Sequence, residues 1–202
     1  HNICAGTVSI PKHAGGSVPA SGRTFHLHHN YFRDTYAIEF VRNGIEIDHN
    51  RFDFPTDKDH GNLISGFGQA PAKGPASFHN NLVSNPGRGV IWINEPYNNL
   101  EIRNNHIKTA TTITPRKDGL FGFSSKCDFS TFTIRDNIIE CVGEPRPLLR
   151  SKESYAATIS NNKLVNVSDT DLIKNSNTDK PQGLEEPLKF ECGVHGELTV
   201  EG

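Results

Sequence analysis

Six asparagines, Asn30, Asn50, Asn81, Asn105, Asn137 and Asn162, hold the same place in a pattern that the chain repeats at intervals of 20, 31, 24, 32 and 25 residues. Periods of this size mark repeat architectures, in which each unit buries its apolar face only against its neighbours. Counted from the Asn, position −5 reads Phe25, Ile45, Ala76, Leu100, Phe132 and Ala157, and position −3 reads Leu27, Ile47, Phe78, Ile102, Ile134 and Ile159. Position +2 reads Phe32, Phe52, Val83, Ile107, Ile139 and Leu164. All are apolar in a chain of which only 34% is hydrophobic. Positions −4 and −2 between them are mostly polar, the alternation of a strand with one buried face, whereas a helix would need apolar residues three and four apart.

One coil per repeat follows, with successive coils stacked about 4.8 Å apart by parallel backbone pairing. The Asn is expected at the bend after the strand, where its short side chain tolerates left-handed dihedrals, and stacked amides are expected to hydrogen-bond along the column. A second strand per coil is predicted at 37–40, 63–66, 90–93, 120–123 and 148–151, mostly behind Gly or Pro. His1-Asn2-Ile3-Cys4 superposes on His29-Asn30-Tyr31-Phe32, which makes Asn2 a further ladder residue 28 before Asn30 and suggests a start in mid-coil. The coils are assigned to 1–175. Residues 176–202, with strand patterns at Pro187–Cys192 and Glu197–Val200, are assigned to a cap over the open end.

This pattern resembles the right-handed parallel β-helix of the pectate-lyase-like superfamily, asparagine ladder included. The resemblance implies an all-β solenoid, here of six to seven coils, and the mid-coil start leads to the expectation that these are the C-terminal portion of a longer β-helix. It further implies a secreted, periplasmic or cell-surface protein that handles polysaccharides, with basic residues, and often Ca²⁺, on the outer face of parallel strands. No motif of a particular enzyme family transfers residue by residue.

Net charge of −2 without a Lys/Arg run argues against nucleic acid as a partner. No stretch approaches the roughly 18 apolar residues of a membrane span. A monomer is expected. Cys4, Cys127, Cys141 and Cys192 admit two disulfides, but Cys4 and Cys141 fall at apolar positions that equally suit buried thiols.

Register places the candidate chemistry. The −2 column reads His28, Asp48, His79, Arg103, Arg135, Ser160 and the −4 column His26, Glu46, Ser77, Glu101, Thr133, Thr158. Three His, two Glu, one Asp and two Arg therefore converge on one outer face. The bland reading is a hydrogen-bonded polar stripe, since outward positions on any solvated sheet are polar. In the functional reading, the face cleaves an acidic polysaccharide by β-elimination. Arg103 and Arg135 neutralise the uronate carboxylate, His79 removes the C5 proton, and His28, held by Asp48, protonates the leaving oxygen. His26, Glu46 and Arg135 would bind substrate alongside. Hydrolysis by Glu46 and Asp48, or by Glu39 and Glu95 on a second face, is the competing chemistry. A non-catalytic glycan-binding or adhesin module is the alternative from another class. No cofactor is assigned. The carboxylates could hold Ca²⁺, and His26, His28, Glu46, Asp48 and His79 could form a transition-metal set. Trp92, the only tryptophan, is expected to face outward as a sugar platform or beneath a loop. Arg150 and Lys152 are expected one and two coils further along its face.

Overall fold

The computed structural model describes residues 3–4, 8–9, 25–33, 38–40, 45–54, 63–66, 76–86, 89–93, 99–109, 119–123, 131–143, 145–150, 157–168, 190–192 and 198–200. In chain order the strands begin with β1 (Ile3–Cys4), β2 (Val8–Ser9), β3 (Phe25–His28), β4 (Tyr31–Arg33), β5 (Ile38–Phe40), β6 (Ile45–Asp48) and β7 (Arg51–Asp53). They continue with β8 (Ile64–Gly66), β9 (Ala76–His79), β10 (Leu82–Ser84), β11 (Ile91–Ile93), β12 (Leu100–Arg103), β13 (His106–Thr109) and β14 (Phe121–Phe123). The remainder are β15 (Thr133–Arg135), β16 (Ile138–Cys141), β17 (Leu149–Arg150), β18 (Thr158–Ser160), β19 (Lys163–Val165), β20 (Phe190–Cys192) and β21 (Leu198–Val200).

Each strand from β1 to β19 pairs in parallel with the strand three places away, which is the signature of a β-helix with three strands per coil. One sheet runs β3-β6-β9-β12-β15-β18 and carries positions −5 to −2. A second, β1-β4-β7-β10-β13-β16-β19, begins directly after the ladder Asn, and the third is β2-β5-β8-β11-β14-β17. Register follows the repeat residue for residue: Leu27 pairs Ile47, Ile47 pairs Phe78, and Phe32 pairs Phe52. Ile3 pairs Tyr31 and Cys4 pairs Phe32, as the offset of 28 requires; Asn2 itself lies outside the described residues.

The strands after the Asn were not expected as separate elements, because segments of two to four residues are too short to show alternation. Their side chains decide the matter: Phe32, Phe52, Val83, Ile107 and Ile139 are fully buried. Together with Ile47, Phe78, Ile102 and Ile134 at −3, and Ile91, Phe121 and Leu149 from the third sheet, they form one column of core. Phe32 and Phe52 stack with centroids 4.8 Å apart and planes 7° from parallel, repeating the coil spacing in aromatic packing. The expected second strands are present, each starting one residue later than predicted.

The ladder is continuous. The Nδ2 of Asn30 donates to Oδ1 of Asn50 at 3.1 Å, and the pattern continues through Asn81, Asn105, Asn137 and Asn162 at 3.1, 3.1, 2.9 and 2.9 Å. Each Oδ1 also accepts the backbone N–H of the preceding ladder Asn at 3.0 Å. The amides thus satisfy backbone groups at a corner where the strand ladder is interrupted. One expectation is corrected. The left-handed residue is not the ladder Asn but the one before it: His29, His49, Asn80, Asn104, Asp136 and Asn161, with φ between 51° and 57°. The ladder Asn must turn its amide inward, so the preceding residue makes the bend, and His, Asn and Asp tolerate that conformation better than most.

Cys141 is a buried free thiol. The two C-terminal strands expected from the sequence pair with each other as an antiparallel hairpin. Among the described residues no helix is long and apolar enough to cross a membrane.

Candidate functional site

Backbone register brings the predicted residues of the first three complete coils together. Across β3, β6 and β9, His26 pairs Glu46 and Glu46 pairs Ser77, while His28 pairs Asp48 and Asp48 pairs His79, so their side chains rise from one sheet face. The bend residues His29 and His49 follow directly and add two imidazoles that the sequence reading did not place at the site.

Asp48 is the centre. Its side chain is only 8% exposed, and its two oxygens divide between neighbours: Oδ1 bonds His26 Nε2, and Oδ2 bonds His49 Nδ1 at 2.5 Å. Burial by itself would raise the Asp48 carboxyl pKa. The bonds from His49 and His26, with the nearby His26 and His79 rings, outweigh it and hold the group below its ordinary value. His79, also buried, is engaged at both nitrogens: Nε2 at 2.9 Å from Glu46 Oε1 and Nδ1 at 3.2 Å from Asn80 Nδ2. Because the amide donates to Nδ1, the Nε2–H donates to Glu46, and the tautomer is fixed. Asn80 Nδ2 also reaches His49 Nε2 at 3.3 Å.

The exposed side of the patch is a run of stacked rings. His26 and His28 stack at 4.2 Å, and His29 and His49 at 4.9 Å with planes 7° apart. His28 does not take Asp48, its register partner, as its hydrogen-bond partner: its Nδ1 meets Nδ1 of His29 at 3.0 Å. Partial burial, then the neighbouring His49 and His28 rings, lower the pKa of His29, which favours the neutral imidazole.

The arginines sit further along the same sheet and are committed to carboxylates. Glu101 accepts from Arg103 Nε at 3.0 Å and Arg135 Nη2 at 2.8 Å, and Arg135 Nη1 donates to Asp136 at 2.7 Å. Two guanidinium charges therefore face two carboxylates, a locally balanced cluster.

Trp92 belongs to the other expected patch, on the third sheet. Its register column reads Glu39, Ser65, Trp92, Gly122, Arg150. Arg150 stands two coils beyond Trp92, not one, because the coil of β14 intervenes. The half-buried indole lies against Gly122, where a Cβ would collide with its Cε3 and Cζ3. Lys152 and Glu95 lie outside the described residues.

The missed histidines had a signal. Position −1 holds only His, Asn or Asp in all six repeats, a composition that marks left-handed backbone. Compared with protein-family models, curated proteins and solved structures, this chain matches none.

Proposed function

We propose that the face around Asp48 acts outside the cytoplasm on an anionic, uronic-acid polysaccharide, cleaving it by β-elimination as the resemblance to pectate-lyase-like β-helices implies. The observation that carries the reading is an exposed imidazole oriented by a buried carboxylate: His26 held through Nε2 by Asp48. With Nε2–H given to Asp48, the lone pair is on Nδ1, and a neutral imidazole is a competent base near neutral pH. His26 takes the C5 proton, the electron pair forms the C4–C5 double bond, and the glycosidic oxygen leaves with a proton from His28. The base role passes from His79 to His26 because both nitrogens of His79 are engaged. Arg103 faces the substrate carboxylate while Glu101 holds its Nε.

A hydrolytic reading has one observation in its favour. Glu46 and Asp48 bring carboxylate oxygens within 4.8 Å of each other, close to the short spacing of retaining glycosidases. Product chemistry separates the two. Incubation with alginate, pectate, chondroitin or ulvan-type glycans is expected to give the ultraviolet absorbance of an unsaturated uronate. His26→Ala should reduce it on the order of 100-fold or more. New reducing ends without that absorbance would replace elimination with hydrolysis, and neither signal would refute both.

A further inference from the structure

We infer that His29, Asp48 and His49 form a binding site for a divalent transition metal of the zinc class. One imidazole nitrogen from each His and a carboxylate oxygen of Asp48 all lie within 4.8 Å of one another. Zinc bonds of about 2.0–2.2 Å to nitrogen and oxygen put tetrahedral ligand atoms roughly 3.3–3.5 Å apart. The contact between His49 Nδ1 and Asp48 Oδ2, 2.5 Å, opens by about an ångström to admit the ion, and a separation at the 4.8 Å limit of the group closes by about 1.4 Å. Side-chain torsions alone cover such distances.

Three features set this group apart from a polar stripe. His29 and His49 occupy left-handed bend positions, φ 53° and 51°, on successive coils, so the coil stacking fixes their Cα atoms and leaves their rings parallel. Asp48 supplies Oδ2 to this group while Oδ1 remains on His26, so filling the site does not disrupt the other dyad. Asn80 lies at His49 Nε2. When the metal displaces the proton from Nδ1, Nε2 carries it, and a half-turn of the Asn80 amide presents Oδ1 as its acceptor, in exchange for the bond that Asn80 Nδ2 gives His79 Nδ1 in the metal-free chain. That is the outer-shell support that metal-bound imidazoles require.

Two imidazoles and one carboxylate select borderline metals over Ca²⁺, which takes six to eight oxygens. His29 is exposed, so the remaining coordination positions open to solvent on the face of His26 and His28. A cation there would add to Arg103 in neutralising a uronate carboxylate, since Glu101 already holds the Arg103 Nε. That role rests on the lyase proposal; the binding does not.

The test is isothermal titration of the EDTA-treated full chain with Zn²⁺, and separately Ca²⁺, in the absence of glycan, with Co²⁺ as a spectroscopic probe. Zn²⁺ is expected to bind, Ca²⁺ not, and Co²⁺ to give ligand-field bands and paramagnetically shifted imidazole protons. His49→Gln and His29→Gln should each weaken Zn²⁺ on the order of 100-fold, with His106→Gln, on the neighbouring sheet, unchanged. The cobalt spectrum of the unmodified chain serves as the readout if a variant fails to fold. Zn²⁺ affinity unaltered in both variants, equal affinity for Ca²⁺, or a cobalt spectrum without nitrogen ligation would overturn the site. Metal binding without glycan turnover would sink the lyase reading alone.

Discussion

Replacing Asn81 by alanine tests the ladder where it is fully enclosed. Asn81 Oδ1 accepts from the backbone N–H and Nδ2 of Asn50, and its Nδ2 reaches the carbonyls of Ile47 and His79 and Oδ1 of Asn105, all between 2.9 and 3.1 Å. Both Asn50 and Asn81 are 0% exposed, so no water replaces what is lost. An orphaned buried donor such as the Asn50 N–H costs about 1–3 kcal/mol, and each further lost bond about 1. With four further bonds lost, the sum is about 5–7 kcal/mol, as large as the whole stability of a marginal domain. Urea denaturation followed by far-ultraviolet circular dichroism measures it as a fall in the midpoint at constant slope. Asn85→Gly is the control, since it removes a single bond to the Phe54 carbonyl and relieves a positive φ, for a net change within about 1 kcal/mol. Equal midpoints for the two variants would refute the claim that the ladder carries buried backbone groups.

Gly122→Ala drives a methyl into the Trp92 ring and should cost about 1–3 kcal/mol. Because Trp92 is the only tryptophan, a red-shifted emission reports its displacement directly, and unchanged emission and melting temperature would contradict the packing. For Glu101, burial raises the carboxyl pKa, but the bonds from Arg103 and Arg135 outweigh it and lower the pKa below its ordinary 4.5. Its contribution to stability is therefore present above that value and disappears as pH falls through the lowered one. The stability gap to Glu101→Gln, about 1 kcal/mol or less at pH 7 for so solvent-screened a group, should close on acidification. A gap that persists at pH 2 would show the pairing is not its source.

The site was legible in proportion to how far strand geometry controls it. Which side chains share a face follows from period two and from the Asn register, so His26, His28, Glu46, Asp48 and His79 were placed together from sequence. Which atoms meet does not follow, because it depends on side-chain torsions across coils. Asp48 stands in register with His28 and His79 yet bonds His26 and His49.

The sequence by itself determined the coil, the ladder and the inward columns, because each of these repeats and every repeat must satisfy the same packing and backbone hydrogen bonds. Only the tertiary structure decided that a third strand follows each ladder Asn and that the residue before it makes the bend. It alone joined His29 and His49 to Asp48 and set Arg103 and Arg135 on Glu101. A period of 20 to 32 residues says which coils are neighbours; the direction of each side chain is settled only when neighbouring coils pack and compete for the same few acceptors.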